Sequence, residues 1–291
     1  YRYKATDAGL SAWPQGELRL TGIDETDNQR EADLFVVPGM LTALFPNAAA
    51  VQRLPYFKGN EARHVFFDCS DHEPLYRLPC LFIRCNTRTW YLPTDPNTIS
   101  WPWPVDDYAE CEAVPEGGFK YDVSFQGWNW SQVRKDSVQS CAGMNADIAT
   151  YQDFTGYIWD KPEGHRRRRE FRRSMKESRL ALCPESIPGV FPYRFFEAMS
   201  AGRMPVLVGS DYVLPFEDEI PYGSFCLFFS KAQASTVGSG LQAFLQSTTD
   251  DEIIRRGKTA RIYWDKFLHR DKWADLMAYA VRKRVEKWLP A

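Results

Sequence analysis

Arg194 and Glu197 lie one helical turn apart in an otherwise apolar stretch, FPYRFFEAMSAG, and their types suit the binding of a charged ligand. An arginine in the first turn of a helix opposes the helix dipole, whose N-terminal end is already positive, so an anion is expected nearby. In one interpretation Glu197 is that anion, through an ion pair worth about 0.2–0.5 kcal/mol. In the other, a ligand phosphate sits at the helix N-terminus beside Arg194, and Glu197 accepts hydrogen bonds from ligand hydroxyls.

The bulk composition limits the classes of protein to which this helix can belong. Of the 291 residues, 44% are hydrophobic and 25% charged, enough for one large or two moderate globular domains. A net charge of -2 excludes a generally basic nucleic-acid binder. No stretch approaches the roughly 18 consecutive apolar residues of a membrane span. The aromatic fraction of 15% slightly favours a carbohydrate or nucleotide ligand, because aromatic rings stack on both.

Strand and helix patterns alternate along the chain, which is typical of an α/β sheet. In the first half the predicted strands are the runs ADLFVVPGM, HVFFDCSDHE and PCLFIRCNT, starting at residues 32, 64 and 79. In the second half they are YDVSFQG, LALCP, MPVLVG and SFCLFF, starting at residues 121, 180, 204 and 224. Between the halves, residues 90–118 are rich in proline and lack periodicity, so they are predicted to connect two domains.

The predicted division is therefore an N-terminal α/β domain of residues 1–117 and a second α/β domain of residues 118–270. Residues 271–291 are predicted to form a final helix that either crosses back to the first domain or covers only the second. Parallel sheets bind ligands beyond the carboxyl ends of their strands, so functional residues are expected just after strands.

The seven cysteines are scattered and form no CxxC pair. We expect reduced, buried thiols of a cytosol-like compartment, with a partly disulfide-bonded lumenal domain as the alternative. The chain starts at Tyr1 and not at Met, so the possibility of a preceding leader or anchor stays open.

The segment from Leu180 to Ile220, LALCPESIPGVFPYRFFEAMSAGRMPVLVGSDYVLPFEDEI, resembles the exostosin-type glycosyltransferases. That family carries a strand ending in Cys-Pro, then Arg, Glu-Ala before Ala-Gly, a Pro-Val strand, and Asp followed by Leu-Pro-Phe. All of these occur here in the same order. The upstream stretches ADLFVVPGM and VSFQGW are similar to weaker motifs of the family, so the resemblance covers roughly residues 32–216.

The resemblance implies a GT-B architecture, in which two Rossmann-like domains face a central cleft. It also implies an inverting, metal-independent transfer from a nucleotide sugar to a glycan hydroxyl, with no cofactor. In such a reaction Glu197 would bind the ribose hydroxyls and Arg194 the diphosphate. The other implied donor-binding residues are Gly127, Arg134, Glu185 and Ser186.

An inverting transfer needs a general base for the acceptor hydroxyl, and a carboxylate of the first domain is the expected source. The polar cluster DCSDHE follows a predicted strand, and Asp71 within it is the predicted base, with Asp68 and His72 as alternates. Each of the three is also a common turn or cap residue. None of the four histidines shows HxH or HExxH spacing, so no metal site is predicted.

The sequence leaves more than one possibility for the sugar donor and for the activity. UDP-xylose, UDP-galactose and UDP-glucuronic acid are favoured, although Arg203 stands where the family often has Cys and Glu185 where Arg or Gly is frequent. A GDP-fucose-dependent enzyme is a second candidate, but such enzymes usually show Lys at the position of Phe196. A third candidate is a catalytically silent glycan-binding or assembly partner. The expected location is the cytoplasm, or the Golgi lumen if an anchor precedes the sequence.

Two further features have a binding interpretation and a structural one. The basic run HRRRREFRR, residues 165–173, suits phosphate, an acidic glycan or RNA, but a solvated helix face is favoured. Trp128 and Trp130 suit stacking on a base or sugar, and core or rim positions are favoured for both.

Overall fold

The computed structural model describes residues 26, 28–40, 48–68, 78–89, 97–152, 161–187 and 190–285. The chain forms two compact units. The first comprises residues up to Pro104, Asp211–Phe216 and the segment that begins at Arg270, and the second comprises Val105–Ser210 and Glu217–His269.

Seven α-helices occur in the described ranges. They are α1 Ala48–Val51, α2 Gln132–Ser140, α3 Pro162–Glu177, α4 Tyr193–Ser200, α5 Val237–Ser247, α6 Asp250–Tyr263 and α7 Trp273–Val285. No helix in these ranges combines the length and the apolar character of a bilayer span.

The sheet of the first unit has four parallel strands in the order β1-β2-β3-β4. They are β1 Phe35–Met40, β2 His64–Asp68, β3 Leu81–Arg84 and β4 Thr98–Ser100. Every side chain of β2 and β3 is buried, as expected of a parallel sheet covered on both faces. The predicted strands at residues 32, 64 and 79 are confirmed as β1, β2 and β3.

Helix α7 belongs to the first unit and covers one face of its sheet. Trp273, Met277 and Val281 of this helix pack with Val65 of β2 and with Trp101. The rings of Trp101 and Trp273 meet edge to face, with centroids 5.9 Å apart. The last described helix therefore completes a core that begins more than 200 residues earlier in the sequence.

The Asp-x-x-Leu-Pro-Phe motif is an extended segment of the first unit. The Thr89 N–H donates to the Asp211 carbonyl at 2.9 Å, and the Val213 N–H donates to the Thr87 carbonyl at 3.0 Å. Asp211 and Phe216, the ends of this segment, both have left-handed backbone, with φ of 66° and 52°.

The sheet of the second unit has five parallel strands in the order β6-β5-β7-β8-β9. They are β5 Tyr121–Trp128, β6 Ala146–Tyr151, β7 Ser178–Pro184, β8 Met204–Val208 and β9 Leu227–Phe229. Counted within the unit, this is the doubly wound order 2-1-3-4-5, which reverses direction between β5 and β7. The α/β class with two parallel, Rossmann-like sheets is confirmed.

The boundary between the units lies at 104/105 and not at the predicted 117/118, because two arginines bind residues 107–113 to the second unit. The Arg203 guanidinium donates to the carbonyls of Cys111, Glu112 and Ala113. Arg261 of α6 binds the Asp107 carboxylate. From Val105 onward, the predicted linker is thus a bound part of the second unit.

The cysteines differ from the prediction at one position. Five are free and buried: Cys80, Cys111, Cys141, Cys183 and Cys226. Cys85, at the end of β3, is disulfide-bonded, so the expectation of reduced thiols is wrong there. Cys69 lies outside the described residues.

Candidate functional site

The residues predicted to bind the donor gather where the strand order of the second sheet reverses. The carboxyl ends of β5 and β7 meet there, and α4 follows β7 after a short connection. In α4 the side chains of Phe195, Phe196 and Met199 are buried in the core. Arg194 and Glu197 therefore fall on the remaining, half-buried face.

Arg194 lies across the end of β5. Its Nη2 donates to the Gln126 carbonyl, and its guanidinium carbon is 4.5 Å from the centroid of the Phe125 ring and 5.5 Å from that of Phe171. Its buried Nε has no hydrogen-bond partner among the described residues. Burial lowers the pKa of the Arg194 guanidinium.

Gly127 leaves the room that Arg194 occupies. A Cβ atom at this position would lie 3.0 Å from Nη2 of Arg194 and 3.7 Å from Nη1, so a side chain would require the guanidinium to shift by a few tenths of an ångström. The residue is inside β5, with Trp128 as the last strand residue. The close approach that Gly127 permits in this structure is to Arg194.

Glu197 does not form the ion pair of the first interpretation. Within the described residues, no salt bridge within 4.0 Å joins it to Arg194. Its Oε1 instead accepts a hydrogen bond of 3.3 Å from the Tyr108 hydroxyl. Burial raises the pKa of the Glu197 carboxyl, while Arg194 and the Tyr108 hydrogen bond oppose that rise.

Sequence reasoning missed Tyr108. It lies in the segment that was predicted to be a linker, and no periodicity there distinguishes one aromatic residue from another. In the structure the ring is buried and packs edge to face on Phe171, with centroids 5.7 Å apart. Burial raises the pKa of the Tyr108 hydroxyl far above its usual value, so the group stays protonated.

Arg134, on α2, joins the ends of the two central strands. Its Nη1 donates to the Trp128 carbonyl of β5 at 2.6 Å and its Nη2 to the Pro184 carbonyl of β7 at 3.3 Å. Ser131, the N-cap of α2, accepts from the Arg134 N–H and donates to the Glu185 carbonyl at 2.7 Å. The two strand ends are thereby held in register beside α4.

Glu185 follows β7 and is buried. Its Oε1 lies 3.1 Å from Nζ of Lys231, a partner that the sequence did not reveal because Lys231 comes after β9. Ser186 is the next residue and is half-buried. Gly127, Arg134, Glu185 and Ser186 thus lie at the same edge of the sheet as Arg194, although their donor-binding roles stay predictions.

Two tryptophans lie at the end of β5. The rings of Trp128 and Trp130 are 4.7 Å apart and tilted, and Trp130 is 56% exposed. An exposed indole face beside a charged site is suited to stacking on a planar base or a sugar ring.

Of the three candidates for a general base, only Asp68 falls in the described residues. It ends β2 and is buried, with its Oδ2 3.9 Å from Nε of Arg84. Asp71 and His72 lie outside the described residues, so their roles stay predictions. No group of three or more His, Cys, Asp or Glu side chains suited to a metal ion occurs in the described part of the chain.

The basic run lies on α3, and two of its arginines pair with acids of the same helix. Arg166 binds Glu163 and Glu170, and Arg167 binds Glu163. Arg167 also lies over the Tyr151 ring, 4.1 Å from its centroid. Arg172 and Arg173 lie near Glu110 and Asp147, which are outside the helix, so the charge of the run is used in ion pairs of the protein itself.

The arrangement is suited to a ligand that carries both negative charge and hydroxyl groups. A guanidinium and the start of α4 attract phosphate oxygens, and a half-buried carboxylate accepts hydrogen bonds from hydroxyls. Both groups lie at the switch point, where doubly wound sheets bind nucleotides.

Comparison with known families identifies the central part of the chain. Residues 102–244 match the Exostosin GT47 domain, which confirms the resemblance seen in the sequence. A probable glucuronosyltransferase of Oryza sativa subsp. japonica is 34% identical over 82 residues, 28% of this chain and 18% of the relative. A probable glycosyltransferase of Arabidopsis thaliana is 27% identical over 106 residues, 36% of this chain and 20% of the relative. The chain thus matches no more than 20% of the length of either curated relative.

Solved structures with a similar backbone are more distant in sequence. The Anabaena protein Alr3699/HepE in complex with UDP and glucose is 12% identical with a TM-score of 0.47, covering 88% of this chain and 77% of that one. Sucrose-phosphate synthase from Thermosynechococcus elongatus is 10% identical with a TM-score of 0.49, covering 88% of this chain and 74% of that one.

Proposed function

Residues 102–244 form an exostosin GT47 domain, and from this premise we propose that the chain is an inverting, metal-independent glycosyltransferase. It transfers a sugar from a UDP-sugar to a glycan hydroxyl, and it needs no cofactor. Xylose, galactose and glucuronic acid are the favoured donor sugars. The rice relative, described as a probable glucuronosyltransferase, supports including glucuronic acid among them.

One observation carries this proposal: two half-buried charged groups, Arg194 and Glu197, lie on one face of α4 without a direct ion pair between them. The Nε of Arg194 has no partner in the described part of the chain, and Glu197 binds only the neutral hydroxyl of Tyr108. Desolvation disfavours the charged form of both groups, and their mutual attraction offsets that cost only in part. A bound nucleoside diphosphate would supply both the missing anion and the missing hydroxyl donors.

In the proposed mechanism the chain's own residues replace a metal. Arg194 and the start of α4 stabilise the negative charge that develops on the departing diphosphate. Glu197 holds the ribose hydroxyls. Arg134 either contacts a phosphate as a second cation or, through the carbonyls it binds, positions the strand ends. Ser186 and Glu185 contact the donor sugar.

A general base must remove the proton of the acceptor hydroxyl, so that the oxygen can attack the anomeric carbon. Asp71 is proposed for this step, with Asp68 and His72 as alternates. An Asp71→Asn variant separates this role from donor binding, because only the transfer step requires the base.

The first test is UDP affinity by isothermal titration calorimetry. Arg194→Ala and Glu197→Ala are each expected to weaken UDP binding more than about tenfold, equivalent to ~1.4 kcal/mol, because each removes a charged contact. Asp71→Asn is expected to bind UDP like the wild type and to abolish transfer. Arg169→Ala is the matched control, since Arg169 is exposed on α3.

The outcomes separate the candidate functions. Wild-type affinity for UDP in both Arg194→Ala and Glu197→Ala rejects the proposed donor site. A preference for GDP over UDP supports the fucosyltransferase alternative, and the absence of any nucleotide binding supports the silent partner. A screen of nucleotide sugars for slow hydrolysis then identifies the donor.

A further inference from the structure

The hydrogen bond between Tyr108 and Glu197 joins two residues 89 positions apart in the chain. The bond occupies Oε1 of the carboxylate and leaves Oε2 for a ligand. We infer that Tyr108 is a positioning residue, which fixes the Glu197 carboxylate and widens the pH range in which it accepts hydroxyl hydrogen bonds. This inference rests on the proposed function.

The ring of Tyr108 is held from two sides. It packs edge to face on Phe171, and the guanidinium carbon of Arg172 lies 5.5 Å from its centroid. Phe171 also contacts Arg194, with 5.5 Å between the ring centroid and the guanidinium carbon. Tyr108 is therefore connected to both ligand-binding groups, directly to Glu197 and through Phe171 to Arg194.

The backbone around Tyr108 is tied to α4 itself. The Asp106 carbonyl accepts a hydrogen bond of 3.2 Å from the hydroxyl of Ser200, the last residue of α4. The next residue, Asp107, binds Arg261, which also donates to the Ser200 carbonyl. These contacts hold the segment that carries Tyr108 against the helix that carries Glu197. The position of the Tyr108 hydroxyl relative to the Glu197 carboxylate is therefore fixed.

Four titratable or charged groups act on the Glu197 carboxyl. Arg194 on α4 favours its ionised form, and Asp106 opposes it. Cys183 of β7 also faces Glu197, but burial raises the pKa of this thiol to about 12, so it is neutral. Tyr108 is likewise neutral, and its hydroxyl stabilises the carboxylate as a donor. Burial pushes the pKa of Glu197 upward, and Tyr108 and Arg194 are the groups that counter it.

The test is the pH dependence of UDP affinity in Tyr108→Phe, which keeps the ring on Phe171 and removes only the hydroxyl. Losing a donor raises the pKa of Glu197, so its charge is lost earlier as the pH falls. The acid limb of the affinity profile is the pH range in which UDP affinity falls as Glu197 is protonated. We expect this limb to move to higher pH by about one unit, and the affinity at pH values below the limb to fall about tenfold. Tyr279→Phe, at an exposed tyrosine of α7, is the matched control and should leave the profile unchanged.

A purely structural role for Tyr108 would lower the affinity equally at every pH or not at all. An unmoved acid limb in Tyr108→Phe, or one moved to lower pH, would overturn the inference. Glu197→Gln should abolish the limb in the wild-type background, which assigns it to Glu197. If the wild type binds no UDP, the proposed function fails. If the wild type binds UDP and only the Tyr108→Phe profile is unchanged, this inference alone fails.

Discussion

Arg203 is a charged residue that the second unit uses as a structural clamp. Its guanidinium donates to the carbonyls of Cys111, Glu112, Ala113, Met175, Lys176 and its neighbour Gly202. Two of these carbonyls lie in the last turn of α3, whose dipole end is negative. Burial lowers the pKa of Arg203 to about 10. The arginine at this position, where the family often has Cys, is thus accounted for by its contacts with backbone carbonyls.

Removing this clamp should destabilise the protein. Arg203→Met keeps much of the side-chain volume but leaves several buried carbonyls without donors, at ~1–3 kcal/mol each. We expect a loss of about 3 kcal/mol in the free energy of unfolding, measured by urea denaturation. Arg169→Met, on the exposed face of α3, should change it by less than about 0.5 kcal/mol. Equal midpoints for the two variants would show that the clamp contributes little.

The sequence predicted which residues of α4 face the candidate site, but it did not predict the side chains that contact the site residues. The buried phenylalanines leave Arg194 and Glu197 one shared face, because helical spacing is local and regular. Tyr108 and Lys231 are brought to the site by tertiary packing, which no local pattern encodes. Asp71 stays a prediction, because its segment lies outside the described residues.

At the scale of elements, sequence reasoning missed two strands, and one of them, β6, creates the switch point. The β6 segment, ADIATY, mixes polar, small and apolar residues and has no apolar run. It forms the edge of the sheet next to β5, and its side chains are only partly buried. Without β6 the strands would read as a simple series, and the reversal between β5 and β7 would not be apparent. The three-residue β4 was missed for a similar reason, because it lies in the proline-rich segment.

Helix packing around α4 depends on a glycine of α6. A Cβ atom on Gly257 would lie 2.2 Å from the Gly202 carbonyl oxygen, just beyond the end of α4. In an exposed helix, Gly→Ala stabilises by about 1 kcal/mol. Here we expect Gly257→Ala to destabilise by about 1–3 kcal/mol, because backbone must move to admit the methyl group.

The expected stability change of Gly257→Ala is opposite in sign to that of Gly→Ala in an exposed helix. Thermal or urea unfolding can therefore check the prediction directly. Gly143→Ala is the matched control, since a Cβ there meets nothing within 4 Å. A stabilised Gly257→Ala variant would mean that α6 and α4 can separate at low cost.

At the scale of the whole molecule, the division into two α/β halves could be predicted, whereas the boundary could not. Proline content marked residues 90–118 as a connection, yet residues 107–113 are bound by Arg203 and Arg261. These contacts join positions about 90 to 150 residues apart, beyond the reach of any local pattern. The family match, residues 102–244, begins close to the observed boundary.

The disulfide at Cys85 bears on where the protein works. Disulfides persist in oxidising compartments. On the basis of this bond, we propose that the protein works in a lumenal compartment and not in the cytoplasm. Alkylation of the denatured, unreduced protein should modify the five free cysteines and leave Cys85 protected, and reduction should release Cys85. Mass spectrometry reads the number directly. If all seven cysteines are alkylated without reductant, the lumenal proposal is wrong and a reducing compartment is indicated.

The chain passes between the two units four times, and this order has a consequence for biosynthesis. The second unit is complete once His269 has left the ribosome, whereas the first still lacks the tryptophan-bearing helix that covers its sheet. Truncation before Trp273 would expose the face of the earlier sheet that this helix covers, even though all of its described strands had been translated.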